Sequence, residues 1–174
     1  MGPGALLGVL LGAATPAATA ADPLAPLSAY QGMWKGESET LDSPYDKAGK
    51  SPPVALQNDC HRWAGFYACA QTVDGRPGAL LVFTYTGTPG VYTSSPVPSD
   101  GSPARSGKLL IDGDVWTFPW EGTHDGAPVH FRVVNRFVTP DEIEVRREAS
   151  TDGKTWTLIG RGRTTRVRGE VRVR

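Results

Sequence analysis

Residues 58 to 71 read NDCHRWAGFYACAQ and hold the only two cysteines of the chain, Cys60 and Cys69. Structural zinc sites use four ligands, often with two to four residues between paired cysteines. Here the gap is wider, and His61 is the only close candidate to join them. Thioredoxin-like redox chemistry uses C-x-x-C, which is also absent. A hairpin turning at Ala64-Gly65 fits better. It sets Trp63 opposite Phe66, Arg62 opposite Tyr67, His61 opposite Ala68 and Cys60 opposite Cys69. The cysteines then form a non-hydrogen-bonded pair, where Cα atoms approach to about 4.5 Å. A disulfide accepts Cα separations of roughly 4.4 to 6.8 Å. The stretch therefore predicts a disulfide across a β-ladder, which persists in oxidising compartments. Because the loop it closes is short, its contribution is on the order of 2 kcal/mol.

The beginning of the chain agrees with such a compartment. Ala5 to Leu11 is a short apolar run, followed by small residues that offer Ala18-Thr19-Ala20 as an A-x-A cleavage site. This pattern predicts a signal peptide over 1–20 and a periplasmic or secreted mature protein, although no Lys or Arg precedes the run. The run is too short to span a bilayer, which takes about 20 apolar residues. No later segment is apolar enough to cross as a helix.

Downstream of the hairpin, apolar stretches alternate with turn signals. ALLVFTYT (79–86), VYTSSPV (91–97), KLLI (108–111), VWTFPWE (115–121), VHFRVVNRFV (129–138), IEVRREAS (143–150) and TWTLIGRGRTTRV (155–167) are separated by GTPG, DGD, THDGAP, TPDE and similar segments. The longest polar loop is 99–107. With the strand around Trp34 and the two arms of the hairpin, the chain predicts about ten short strands and no long helix. An all-β antiparallel meander of this kind is best finished by closing it into a barrel. The expected layout is a lead-in over 21–31 with a short helical turn near Leu27 to Gln31, a barrel over 32–167, and an Arg-rich tail over 168–174.

Alternation assigns the faces. Trp116, Phe118 and Trp120 share one face, as do Val129, Phe131, Val133, Asn135 and Phe137. Ile143, Val145 and Arg147 align, as do Trp156, Leu158, Gly160 and Gly162. In a single barrel in water these faces turn inward, and His130, Arg132 and Arg136 turn outward. Trp116, Phe118, Trp120, Phe131, Phe137 and Trp156 then either line a cavity, with Asn135 and Arg147 as polar anchors, or fill the interior as a packed core. Both readings stay open from the sequence.

The residues GMWKGE (32–37) place Gly32-x-Trp34 at the start of the first strand. Gly-x-Trp opening a meander barrel resembles the lipocalin-like, or calycin, superfamily. STDGKTW (150–156) is similar to the final hairpin of lipocalin-like families of unknown function among exported bacterial proteins. The resemblance covers roughly Leu27 to Val167. It implies that Trp34 closes the barrel floor and that an Arg of the last strand, Arg161 or Arg163, packs on it, a cation–π contact worth about 1 kcal/mol. Gly-x-Trp-basic-Gly-Glu also resembles the start of haem-binding nitrobindins, which supply a His from the C-terminal part of the barrel. This chain has no His after His130, so no haem or other cofactor is expected. STDGKTW also resembles the sialidase Asp-box but is one residue short and occurs once. It is better read as a hairpin turn with Asp152 and Gly153 in turn positions.

No catalytic constellation stands out. G-x-S-x-G is absent, the serines lie mostly in Pro/Gly loops, and His61, His124 and His130 read as surface residues. Asp141, Glu142 and Glu144 read as a turn and a solvated face, and no metal site is expected. The chain carries 18 basic and 18 acidic residues. Six arginines against Glu170 lie from Arg161 onward, leaving 12 basic and 17 acidic residues elsewhere. A uniformly basic nucleic-acid surface is not visible. The expectation is a binder of a small hydrophobic or amphipathic molecule. The alternatives are an envelope interaction protein using its outer surface and Arg-rich end, or a small hydrolase or isomerase acting in the cavity.

Overall fold

The computed structural model describes residues 21–168; the expected signal peptide and all of the tail beyond Arg168 lie outside them. A 3-10 turn, Ala25–Tyr30, precedes eleven strands: β1 Gly32–Thr40, β2 Gly49–Lys50, β3 Val54–Arg62, β4 Phe66–Val73, β5 Arg76–Tyr85, β6 Val91–Pro98, β7 Gly107–Asp112, β8 Val115–His124, β9 Ala127–Thr139, β10 Glu142–Ser150 and β11 Thr157–Arg166. β3 to β11 run as a continuous antiparallel meander, β1 pairs with β3, and β11 returns to pair with β1. Ten strands thus close into a barrel, which removes the exposed edges of an open sheet. β2 adds only a two-residue pairing at the end of β1.

The cysteine hairpin folds in the expected register. Cys60 faces Cys69, His61 faces Ala68 and Arg62 faces Tyr67, and the Trp63 amide donates to the Phe66 carbonyl at 2.9 Å. The sulfurs are bonded at 2.09 Å, with Cα atoms 3.9 Å apart. Cys69 is fully buried in a cluster with Leu24, Leu27, Tyr67, Phe83, Tyr92, Leu109 and Trp116. Leu24 and Leu27 come from the lead-in, so the 3-10 turn and its approach plug one end of the barrel.

At that end an arginine of the last strand stacks on Trp34, but not either of the two expected. Arg166, not Arg161 or Arg163, stacks its guanidinium 4.1 Å from the Trp34 ring centroid. The strand register explains the correction. Trp34 sits opposite Arg166, whereas Glu37 and Glu39 sit opposite Arg163 and Arg161. Arg161 and Arg163 therefore point outward, where Arg161 pairs with Glu39 and Arg163 with Glu142 at 3.1 Å. Arg166 also binds the carbonyls of Ala29, Gln31 and Pro140 and the Asp141 carboxylate. Gly32 has φ +111°, and a Cβ there would sit 2.8 Å from Arg166 Nη1. The Gly of Gly-x-Trp thus lets this arginine pass.

β11 also departs from the expected alternation. Opposite β10, Arg147 faces Gly160 but Glu148 faces Leu158, so Ile159 is an extra residue. This bulge reverses the alternation. Gly160 and Gly162 face inward as expected. Leu158 lies on the outer face with Glu148, and Trp156 lies there too, under the Arg132 guanidinium at 3.9 Å. Glu148 is buried on that outer face between Arg132 and Arg146.

Candidate functional site

The inward side chains form three layers. The floor layer holds Trp34, Phe83, Trp116 and Phe137, with Tyr30 lying over them. The Tyr30 ring packs edge-on against Trp116, with centroids 4.7 Å apart, and stands 6.2 Å from both Phe83 and Phe137. Trp34 Nε1 donates to the Tyr30 carbonyl at 3.1 Å. This layer is packed core.

The middle layer is not filled. A cavity of about 390 Å³ lies there, lined by Leu56, Leu81, Phe83, Phe118, Ile143 and Val145, with Tyr30, Asn58, Gln71, Ser94, Asn135 and Thr164 among its polar residues. No Asp, Glu, Lys, Arg or His is found among the described residues lining it. Its polar groups are mostly tied to one another. Asn58 donates to the Tyr30 carbonyl at 3.1 Å and accepts from Gln71 at 3.0 Å. Asn135 Nδ2 donates to the Tyr30 hydroxyl at 2.8 Å, while Asn135 Oδ1 is buried with no partner among the described residues. Burial pushes the Tyr30 hydroxyl well above the usual tyrosine range, against a smaller lowering by Asn135, so at neutral pH it is an uncharged phenol.

The mouth layer lies one inward residue further along each strand. Trp120 stacks on Phe131 with centroids 5.5 Å apart and is 46% exposed. Tyr45, from the loop after β1, packs edge-on against Phe131 and His124. Arg147 lies flat over Gly160, where a Cβ would come within 2.6 to 3.0 Å of its guanidinium. Its Nη2 donates to Thr40 Oγ1.

The eight residues expected to line a cavity therefore separate. Phe118 and Asn135 line it, and Trp116 and Phe137 are its floor. Trp120, Phe131 and Arg147 surround the mouth, and Trp156 is outside the barrel. Tyr30, Asn58, Gln71, Leu81, Ser94 and Thr164 were not expected. Asn58 and Gln71 were within reach, since they pair two residues beyond Cys60 and Cys69 and so share the face of the disulfide.

A larger outer groove, about 700 Å³, runs beside β1, β10 and β11, lined by Glu37, Glu39, Arg146, Leu158, Arg161 and Arg163 among others. Its arginines are already matched: Arg161 with Glu39, Arg163 with Glu144 and Glu142, and Arg146 with Glu148. Its arginines are thus held by carboxylates of the chain itself, with Glu37 and Lys50 its charged residues outside any ion pair among the described residues, and the enclosed interior is the better candidate. His130 stands on the outer face, beside Glu121 at 3.6 Å.

No family model and no curated protein matches the chain. Among solved structures, the chain is similar to Rv2717c from M. tuberculosis, with 16% identity and a TM-score of 0.49 over 85% of this chain and 99% of that one. It is also similar to the S-type phycobiliprotein lyase CPES from Guillardia theta, with 13% identity and a TM-score of 0.46 over 84% and 93% of the two chains. The closed ten-strand meander, with its plugged floor and its Trp34–Arg166 stack, fits a lipocalin-like fold.

Proposed function

We propose that the chain is an exported lipocalin-like protein that holds a small molecule with an apolar body in the barrel. The cavity carries this reading. It is enclosed by ten strands, plugged at one end by the lead-in, and lined mainly by apolar side chains with a few neutral polar groups, the usual make-up of a small-molecule pocket. Its volume falls within the range of roughly 300 to 1,000 Å³ usual for such sites. The Cys60–Cys69 bond and the A-x-A pattern at Ala18–Ala20 support export.

The described residues give less support to a free basic surface. Arg161, Arg163, Arg166 and Arg168 each have an acidic partner, so this part of the Arg-rich end is neutralised in place.

Native mass spectrometry of the mature protein, exported in a bacterial host and beginning at Ala21, tests the binding reading, with solvent extraction of anything held. A discrete adduct is expected, and hydrophobic fluorescent probes should displace it. Filling the middle layer with Val145→Trp should abolish both signals while leaving the far-UV spectrum unchanged. A clean apo mass together with no probe binding would overturn the reading and assign the interior to packing alone.

A further inference from the structure

Arg147 is an inward-facing cation that the fold does not neutralise. It stands on the same face of β10 as Ile143 and Val145, both of which line the cavity. Two residues along a strand span about 6.6 Å, so it lies one layer above the cavity, toward the mouth. Among the described residues no carboxylate comes within 4.0 Å of it, although ion pairs hold every other arginine from Arg132 to Arg168. Its one described hydrogen bond goes to a neutral hydroxyl, Thr40 Oγ1. A guanidinium carries five donors and stays charged at any physiological pH, so most of its donors remain unused. The residue is half-buried, so the unused donors are open to the mouth of the barrel. The wall accommodates it, since Gly160 leaves room for the guanidinium to lie flat.

We propose that Arg147 is the headgroup anchor of the ligand site and that the ligand is an amphipathic carboxylate. This rests on the binding reading above. The planar fork of Arg147 matches a carboxylate in two parallel N–H···O bonds, while the apolar body descends past Val145 onto Phe118, Leu81 and Ile143. A cationic headgroup is excluded by the charge of Arg147. A neutral one leaves the guanidinium unpaired.

The test compares decanoate, decanol and decyltrimethylammonium by isothermal titration near neutral pH, below their micellar concentrations. Decanoate is expected to bind about tenfold or more tighter than decanol, as for one charge-assisted pair, and the ammonium weakest. Arg147→Met should bring decanoate down to the level of decanol and leave decanol unchanged, which also shows that the barrel is intact. Arg147→Lys should retain part of the preference. Gly160→Val, which puts a side chain where the guanidinium lies, should lose the preference with Arg147 still present. Equal binding of decanoate and decanol by the wild-type protein, or a preference that survives Arg147→Met, would overturn the anchor but leave the binding site standing. If none of the three probes binds and the extract is empty, the binding reading itself fails.

Discussion

Two arginines point into this barrel from the walls of β10 and β11, and each lies against a glycine that a Cβ would fill. At the floor, Arg166 has most of its donors in use. It binds three carbonyls and the Asp141 carboxylate, and it covers the Trp34 ring. At the mouth, Arg147 has one hydroxyl. The first joins the lead-in, β1, β11 and the β9–β10 turn, so it closes the fold. The second joins almost nothing. The same residue type, accommodated in the same way, is structural at one end and available at the other. The difference lies in how many of its donors the chain itself uses.

Breaking the floor should cost most. Arg166→Met leaves the carbonyls of Ala29, Gln31 and Pro140 without their donor, uncovers the Trp34 ring and leaves Asp141 with only the exposed Arg168, and loss of such a partner at a largely buried site destabilises by about 3 kcal/mol. Urea unfolding followed by tryptophan fluorescence reads it. Arg161→Met and Arg163→Met, whose exposed pairs face solvent, should cost less than about 1 kcal/mol each. If either matched Arg166→Met, the floor would be misassigned.

The next effect belongs to the staple beside that floor. Replacing Cys60 and Cys69 by serine should lower stability by about 2 kcal/mol, and denatured, non-reduced wild-type protein should show no free thiol on titration. Two free thiols would remove the bond. The paired substitution also tests whether the plug of Leu24 and Leu27 depends on it, since Cys69 packs in their cluster.

The buried tyrosines of the floor and plug should respond to alkali. Burial raises the hydroxyls of Tyr30, Tyr67 and Tyr92 above the usual tyrosine value. Above pH about 10 the unfolded chain releases these protons while the folded chain retains them, so stability falls as pH rises through the unfolded value. Below it the contribution is fully present. Spectrophotometric titration should show late-ionising tyrosines, and Tyr30→Phe should flatten the alkaline loss. A protein in which all five tyrosines ionise near pH 10 while still folded would contradict the packed floor.

How far the sequence carries this comparison depends on whether face or register is asked of it. Faces are legible wherever alternation is unbroken. Trp116 and Phe118, Asn135 and Phe137, and Val145 and Arg147 all turn inward as their period demands. The cysteine register is legible because a two-residue turn fixes it and two like residues report it. Ile159 is not, because a bulge inserts a residue without changing composition, and Trp156 is displaced outward by it. Parity also separates the floor arginine. Arg161 and Arg163 alternate with Gly160 and Gly162, so they could not share the inward face, while Arg166 could. Which of two inward arginines finds partners depends on Asp141 and the lead-in carbonyls. That is long-range packing, invisible to any local pattern. The cavity is equally hidden, since the same aromatics fill a floor or line a space according to the layer in which they stand.

At Arg147 the expected change in stability is the smallest of all. Arg147→Met replaces an uncompensated inward cation with an apolar side chain of similar length. The loss is one donor to Thr40, whose hydroxyl retains other ways to pair. The gain is relief from holding a charge without a counter-charge near the barrel interior. The two nearly cancel, so stability should change by less than about 0.5 kcal/mol, within the range of substitutions that break no network. The same change at Arg166 costs several times more. A near-silent Arg147→Met in urea unfolding, together with a loss of carboxylate preference in titration, would mean that the residue is kept for something other than the fold. If Arg147→Met were instead as damaging as Arg166→Met, Arg147 would be a second structural clasp acting through Thr40 and Gly160, and the mouth of the barrel would lose its anchor.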